Sequence, residues 1–268
     1  MDFYIKEGPP IFAASLCGKL RQVLRTKYGT AHLEEALGRV FGERCLWESR
    51  VPLCIPSYDL RSDDVHLFRT PHSDRLAQDW RVKMTDIALA TSAAPTYLAS
   101  HHLNDLRLID GGVWANNPSI VAVSEAVSEF GIDLKDIRVL SLGTTSDLGV
   151  RKDRLDRGGL LAWARAATPL ILRGQSRAAE NATYHLLPQG QFLRIDPKVP
   201  ANVLRLDGVS PSELRGRAES EARQRSGDVR KTEEEGRSLF ERLTEGQLAI
   251  CDLLMRPAPE LSEDETVQ

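Results

Sequence analysis

The sequence offers one arrangement well suited to chemistry, an aspartate followed by two glycines at Asp110-Gly111-Gly112. The apolar run Leu106–Ile109 before the aspartate predicts a short strand, and a strand end holds a side chain rigidly. The glycines carry no side chains, so a substrate or a second backbone segment can approach the carboxylate closely, and they also tolerate a left-handed turn. A carboxylate in this place suits general-base catalysis, although an aspartate at a strand end also commonly caps the turn that follows.

A catalytic role for Asp110 depends on the environment that the fold gives it. An aspartate in a model peptide has a pKa of about 3.9, so its carboxylate is a poor base near neutral pH. The fold must raise this pKa or bring the carboxylate close to the group that it deprotonates. Burial at the end of an apolar strand disfavours the charged form and would raise the pKa of Asp110.

The residues around Asp110 read ATSAAPTYL and then LIDGGVWANNP. This pattern resembles the C-terminal catalytic half of patatin-like phospholipases, and the similarity extends roughly from Asp2 to Asp196. The segments PSYD and HLFRT are most similar to the bacterial members. The resemblance implies a serine lipid acyl hydrolase, a carboxylic ester hydrolase in which Asp110 is the second member of a Ser-Asp dyad and accepts the serine proton directly.

The same resemblance extends to the residues that follow the aspartate. It implies that Gly111 and Gly112 shape the turn that presents Asp110, and that Asn116 orients this loop. Either asparagine of the Asn116-Asn117 pair could instead cap the next helix, and for Asn117, which precedes Pro118, we favour the cap.

The chain departs from the family pattern at the nucleophile. Patatin-like proteins carry a G-G-G-x-R-G oxyanion loop and a G-x-S-x-G nucleophile elbow, and neither motif occurs in the 268 residues. Near matches such as GQSRA at residues 174–178 and GVSPS at residues 208–212 lack the second glycine that closes the tight turn. We therefore expect a chain that carries the aspartate without the serine and is inactive alone, with a partner chain supplying the missing N-terminal half. The alternative is a non-catalytic relative that acts as a binding or regulatory subunit.

The resemblance implies an α/β fold with three α/β/α layers around a central, mostly parallel sheet, incomplete here. The local pattern agrees, because a strand before Asp110, a helix starting near Asn117 and a strand over Ile137–Leu142 form a βαβ sequence. We expect the last of these strands to be buried on both faces. We expect the small-residue helix Thr85–Ser92 to pack closely on the sheet.

Further elements follow from capping residues, glycines, prolines and hydrophobic periodicity. The strand near residue 51 should be short or at an edge, because Pro52 and Pro56 cannot donate to a ladder. The predicted elements are a helix ending at Gly8-Pro9-Pro10, a helix over Thr30–Phe41, strands over Val51–Tyr58 and Val65–Thr70, a helix over Gly158–Leu172 and a strand over Gln191–Ile195.

We expect three parts along the chain: residues 1–197 as the C-terminal portion of a patatin-like domain, residues 198–256 as a helical extension, and residues 257–268 as a disordered acidic tail. Within the first part, the apolar residues around Trp163 have two interpretations. They form either a lipid-facing lid or, as is more common, the core-facing side of an amphipathic helix.

Composition limits the remaining classes of function. The net charge of −3 does not indicate a nucleic-acid-binding surface. The four cysteines are scattered and have no C-x-x-C spacing, so they favour neither a disulfide framework nor a zinc site. His101 and His102 are adjacent in an extended segment, so they should face opposite sides and not share a metal with Asp105. We expect no metal and no cofactor, an acyl-lipid substrate such as a phospholipid, and a cytoplasmic protein that contacts a membrane peripherally.

Overall fold

The computed structural model describes residues 2–12, 26–73, 78–144, 146–147, 155–199, 215–227, 230 and 234. The predicted α/β class is confirmed. The helices are α1 (Asp2–Ile11), α2 (Ala31–Phe41), α3 (Met84–Ser92), α4 (Gly112–Ala115), α5 (Ser119–Ser128) and α6 (Leu160–Leu186). The strands are β1 (Cys54–Asp59), β2 (Asp64–Arg69), β3 (His101–Leu103), β4 (Leu106–Asp110), β5 (Val139–Leu142), β6 (Ser146–Asp147), β7 (Phe192–Ile195) and β8 (Lys198–Val199).

The largest sheet has the order β2-β1-β4-β3, and each of its neighbouring pairs is antiparallel. Strand β1 is short, as expected, but it lies inside this sheet and not at an edge. Pro56 is tolerated there because the ladder between β1 and β4 begins one residue later, at the pair Ser57 and Asp110. The carbonyl of Pro56 instead accepts a hydrogen bond from the Thr91 hydroxyl, at 2.7 Å.

The parallel pairings lie elsewhere, between β5 and β7 and between β6 and β8. In the described part of the chain, β5 is therefore paired with β7 and not with β4, although the two strands flank α5. The expectation that β5 is buried on both faces is wrong. Leu140 and Leu142 are 43% and 69% exposed, whereas Ser141 between them is buried. Alternate side chains of a strand face opposite sides, so one face of β5 is covered and the other is open.

Two helices run further than the sequence predicts. Helix α1 continues through Pro9 and Pro10 to Ile11, so the predicted stop is wrong. The amide of Phe12 still donates to the carbonyl of Gly8 at 3.0 Å, and the buried Ile11 anchors this end in the core. Helix α6 has 27 residues and includes Pro169, which the shorter prediction of Gly158–Leu172 did not anticipate.

Apolar side chains form three buried clusters. The first joins α1, α2 and α3 through Ile11, Leu37 and Leu89, among others. The second packs Ala90 of α3 against the large sheet, where Phe68 and Leu108 are fully buried. Small residues on α3 thus allow the close helix–sheet contact that the sequence predicts. The third cluster, Val123, Ile137 and Leu187, joins α5 to the end of α6.

The region after β8 is described only in part. Residues 215–227 are helical and almost entirely exposed, in line with a charged helical extension. The predicted capping box at Ser210–Glu213 and the predicted acidic tail lie outside the described residues. Among the helices that the structure describes, none combines the length and the apolar character needed to cross a membrane.

Candidate active site

Asp110 is the last residue of β4, an interior strand with β1 on one side and β3 on the other. Its backbone amide donates to the carbonyl of Ala93, at 3.1 Å. This bond joins the end of β4 to the end of α3. The predicted strand therefore positions the carboxylate as expected, on backbone that is held by Ser57 of β1 on one side and by Ala93 on the other.

The carboxylate of Asp110 is half-buried. Burial raises the pKa of Asp110 above its ordinary value of 3.8, and the hydrogen bond from the amide of Gly112 to Oδ1, at 2.8 Å, opposes this rise without cancelling it. Among the described residues, Gly112 is the hydrogen-bond donor found on this carboxylate. Its second oxygen is thus available to accept a proton from an incoming hydroxyl group.

Glycine is required at position 111 because another backbone segment passes very close to it, and not because the residue adopts a left-handed conformation. Its φ of −65° is one that any residue adopts. A Cβ at Gly111, however, would overlap the backbone carbonyl of Pro56. A Cβ at Gly112 would lie 3.2 Å from Oδ1 of Asp110 and 3.5 Å from Oδ1 of Asn116, a tight but less severe contact. The two glycines therefore allow β1 to pass close beside the aspartate.

Asn116 and Asn117 occupy different environments. Asn116 is exposed and borders the loop at Gly112. Asn117 is 2% exposed, and its Oδ1 accepts hydrogen bonds from the backbone amide of Ser119, at 3.2 Å, and from its hydroxyl, at 2.6 Å. Asn117 therefore acts as a cap at the start of α5, in agreement with the interpretation from the sequence.

Two side chains that the sequence did not single out hold the Asp110 loop, which we define as residues 110–117, and a third holds the strand beside it. The indole of Trp114 donates to the carbonyl of Ser57 at 2.8 Å, and the Gln175 amide donates to the carbonyl of Val113 at 2.8 Å. Thr91 fixes the neighbouring carbonyl of Pro56. Of these three residues, only Trp114 could have been identified from the sequence, because it lies within the motif DGGVWANNP. Gln175 and Thr91 are distant along the chain from the residues that they contact.

Within the described residues, the serine side chains near this loop are already engaged. Ser57 is fully buried and its hydroxyl donates to the carbonyl of Ile109 at 2.7 Å. Ser176, in the near match GQSRA, lies within α6, and its hydroxyl oxygen accepts a hydrogen bond from the Arg194 guanidinium at 3.4 Å. Helical backbone there differs from the strand-to-helix turn of a nucleophile elbow. The near match at residues 208–212 lies outside the described residues.

The histidine pair does not converge with Asp105. His101 is half-buried and its Nε2 lies 3.1 Å from the Asp86 carboxylate, whereas His102 is exposed. The Asp105 carboxylate binds Arg61 at 2.7 Å on the surface. These contacts agree with the expectation that adjacent histidines in a strand face opposite sides.

Comparison with known proteins connects this geometry to a family. A family model described as "Patatin-like phospholipase" matches residues 16–123, which include Asp110 and its two glycines. A protein named "cGAMP-activated phospholipase" from Vibrio cholerae serotype O1 is 30% identical over 243 residues, covering 80% of this chain and 68% of the relative. The similarity therefore extends well beyond the Asp110 loop.

Two further relatives show the breadth of the match. "Patatin-like protein 1" from Oryza sativa subsp. indica is 28% identical over 251 residues, covering 80% of this chain and 60% of the relative. A second "cGAMP-activated phospholipase", from Escherichia coli strain TW11681, is 35% identical over 127 residues, covering 45% of this chain and 36% of the relative. The matched region thus spans between about one third and about two thirds of the length of these relatives.

Proposed function

The chain belongs to the patatin-like phospholipase family of lipid ester hydrolases, and from this premise we propose that Asp110 is the general base of the hydrolytic site. The observation that carries the proposal is the carboxylate itself, which is half-buried, has a raised pKa and keeps one oxygen available. A carboxylate with a raised pKa takes a proton from an alcohol more readily than an exposed aspartate does.

In the proposed mechanism, a serine hydroxyl approaches the free oxygen of Asp110. The carboxylate accepts the proton while the serine oxygen attacks the carbonyl carbon of a lipid ester. The tetrahedral intermediate then expels the alcohol, which takes the proton from Asp110. In a second half-reaction Asp110 deprotonates a water molecule whose oxygen attacks the acyl carbonyl. The bond to the serine oxygen then breaks, the fatty acid leaves, and Asp110 returns the proton to the serine. The amide of Gly112 holds the carboxylate in one orientation throughout.

The serine of this dyad is proposed to come from outside the 268 residues, because they contain no G-x-S-x-G motif. It would be supplied by a further segment of the polypeptide or by a partner chain, together with the oxyanion loop. On this proposal the 268-residue chain alone does not form an acyl-enzyme. The same missing motif also favours a second candidate function, a non-catalytic binding or regulatory subunit of the same family.

We further propose that α6 contacts the lipid surface that holds the substrate. Four apolar residues recur at helical spacing along one side of this helix and are exposed. They are Leu160, Trp163, Leu170 and Ile171, with exposed fractions of 86%, 41%, 44% and 56%. Such a stripe suits a helix that lies in a membrane interface, because apolar side chains enter the acyl region while the rest stays in water.

Co-sedimentation with phosphatidylcholine vesicles tests this contact. We expect the double substitution Trp163→Ser with Leu170→Ser to reduce the bound fraction severalfold. Tyr184→Ser removes an exposed aromatic about 13 residues beyond the stripe, near the C-terminal end of the same helix, and serves as the control. Equal binding by the wild type and the double variant would refute a role for the stripe.

Labelling with a fluorophosphonate probe, paired with an ester hydrolysis assay, tests the catalytic proposal. We expect no labelling of the 268-residue chain, and labelling once the coding region immediately upstream is expressed with it. Asp110→Asn in the extended form should lower labelling and turnover by at least about 100-fold, in the range expected for loss of a general base. Asp105→Asn, at an exposed carboxylate, is the matched control.

Two other outcomes would revise the proposal. Labelling of the 268-residue chain would show that it contains a nucleophile, and no activity in the extended form would favour the binding or regulatory function. Because two relatives are named cGAMP-activated phospholipases, the assay of the extended form is run with and without cGAMP.

A further inference from the structure

A second cluster of chemically active side chains lies away from the Asp110 carboxylate. Cys54 at the start of β1, His72 after β2 and Glu125 in α5 each offer one ligand atom, and these atoms all lie within 4.8 Å of one another. The three residues span more than seventy positions of the sequence, so they form no recognisable metal-binding motif. We propose that Cys54, His72 and Glu125 form a binding site for a zinc-class divalent cation.

The three side chains already converge on one point. Nε2 of His72 lies 2.9 Å from Oε1 of Glu125, and the Cys54 sulfur lies within 4.8 Å of both of these donor residues' ligand atoms. Ligands of a metal site commonly contact each other in this way when protons occupy the place of the ion. His72 and Glu125 have side chains only 4% and 8% exposed, so water competes little for their donor atoms.

The surroundings hold the imidazole in one orientation. Nδ1 of His72 lies 2.8 Å from the hydroxyl of Thr70, and the ring of Phe130 stacks on the imidazole with centroids 4.8 Å apart. A metal-binding histidine usually has its second ring nitrogen hydrogen-bonded in this manner, which selects the tautomer and aims the lone pair. With the proton on Nδ1, the lone pair of Nε2 faces Glu125 and Cys54.

The donor set indicates which ions suit the site. Thiolate sulfur with imidazole nitrogen favours zinc and related transition metals over magnesium or calcium, which prefer oxygen ligands only. Zinc bonds of about 2.3 Å to sulfur and about 2.0–2.2 Å to nitrogen and oxygen place tetrahedral ligand atoms roughly 3.3–3.7 Å apart. Because all three ligand atoms lie within 4.8 Å of one another, no pair has to close by more than about 1 Å, and three protein ligands leave a fourth position for water.

Binding has a simple proton balance. The cation forms a bond to the Cys54 sulfur and the thiol proton leaves to solvent, while Glu125 binds as a carboxylate. His72 binds through Nε2 and carries its proton on Nδ1, so no electron is transferred and no co-reactant is needed.

The main competitor for Glu125 is Arg69, whose Nε lies 2.9 Å from Oε1 and 3.1 Å from Oε2. A carboxylate has about four lone-pair sites, so one oxygen can bind a cation while the other retains the guanidinium. Arg69 would then orient the carboxylate from outside the coordination shell. The thiolate and carboxylate together offset the charge of the ion, which makes the site selective for a divalent cation.

Metal titration of the purified 268-residue chain tests the proposal. After treatment with a chelator, we expect one equivalent of Co²⁺ to bind and to produce a thiolate-to-cobalt charge-transfer band, and one equivalent of Zn²⁺ to displace it. Cys54→Ser should abolish the band and weaken Zn²⁺ binding by at least about 100-fold, more than the loss of an outer-shell partner. Cys45→Ser is the matched control, because Cys45 is the other free cysteine in the described part of the chain.

The results separate this site from the hydrolytic one. Absence of the band in the wild-type chain, or its persistence in Cys54→Ser, would refute the metal site. Circular dichroism confirms that each variant is folded, and His72→Gln with an intact thiol provides a second variant with the same expected loss of Zn²⁺ binding. No ester hydrolysis is measured, so the outcome is independent of the proposed dyad.

Discussion

At the scale of single residues, the burial that supports the proposed role of Asp110 also has a cost in stability. Burial raises its pKa, so the folded chain ionises this carboxylate less readily than the unfolded chain does. A group with a raised folded-state pKa stabilises the fold at pH values below its ordinary pKa, and this contribution is lost as the pH rises. At neutral pH the charged, half-buried Asp110 therefore destabilises the folded state.

Asp110→Asn should consequently stabilise the folded chain at pH 7. The asparagine oxygen can keep the hydrogen bond from Gly112 without the buried charge. We expect a gain in the free energy of unfolding within the about 0.5–2 kcal/mol typical of stabilising substitutions. Urea unfolding at pH 7 and at pH 3 measures it, and the gain should vanish at pH 3. A loss of stability at pH 7 would contradict this account of Asp110.

The two glycines after Asp110 should respond differently to a methyl group. Gly111→Ala places its Cβ inside the backbone of Pro56, so we expect it to destabilise the fold by about 3 kcal/mol. Gly112→Ala meets only side-chain oxygens at 3.2 Å and 3.5 Å, and we expect less than about 1 kcal/mol. Chemical unfolding of both variants checks the order. Equal stability of the two would show that β1 can move away from the loop.

At the scale of elements, Asp59 joins the β1–β2 hairpin to β4. Its carboxylate accepts hydrogen bonds from the amide of Arg107 at 2.8 Å, from the amide of Arg61 at 3.1 Å and from the hydroxyl of Ser62 at 2.7 Å. Burial alone would raise the pKa of Asp59, but these bonds outweigh it and hold the pKa below its ordinary value of 3.8. The charged form is therefore the one that stabilises the fold.

Asp59→Asn should weaken this junction in a pH-dependent way. We expect a loss of about 2 kcal/mol in the free energy of unfolding at pH 7, because charge-assisted hydrogen bonds are lost. A lowered folded-state pKa gives stability that is present above the ordinary pKa and is lost as the pH falls below it. The difference between variant and wild type should therefore shrink below about pH 4. Asp64→Asn, at the exposed cross-strand neighbour, is the control.

A polar network links the parallel strands β5 and β7 to the Asp110 loop. The guanidinium of Arg194 in β7 donates to the hydroxyl of Ser141 in β5 at 2.7 Å. The Ser119 hydroxyl lies 2.8 Å from that hydroxyl and 2.6 Å from Oδ1 of Asn117. Buried polar groups stabilise a structure when their hydrogen bonds are satisfied, so this chain of contacts fixes the start of α5 relative to β5.

At the scale of the whole molecule, strands β4 and β5 differ in how far neighbouring elements cover them. An incomplete sheet predicts exposed apolar edges at the strands of Ile109 and Val139, and for the first strand this prediction is wrong, because β4 lies between β1 and β3. In the described part of the chain, β5 is paired on one side by β7, and one of its faces exposes Leu140 and Leu142. Exposed neighbouring apolar side chains on a strand favour association with another surface.

The double substitution Leu140→Ser with Leu142→Ser should reduce self-association of the 268-residue chain. The reason is that serine removes most of the apolar area of this face without altering the buried Ser141. Sedimentation velocity over a concentration series measures the effect, and Val65→Ser, at an exposed position on β2, is the control. A wild-type chain that stays monomeric at every concentration would contradict the prediction.

The sequence by itself determined the local elements and the family. Helix α2, the β1–β2 hairpin, the strand at Asp110 and the cap at Asn117 follow from periodicity, glycines and capping residues, which act within a few positions along the chain. The motif DGGVWANNP likewise lies in one short window and indicated the patatin-like family before any fold was known.

Only the tertiary structure decided which distant residues meet. It placed β1 inside the sheet and β5 against β7, set the backbone of Pro56 against Gly111, and brought Cys54 to His72 and Glu125. Contacts of this kind depend on how several elements pack together, and no single stretch of sequence contains that information. Hydrophobic burial selects the packing of the whole chain, and the pairing of strands and the convergence of polar side chains follow from it.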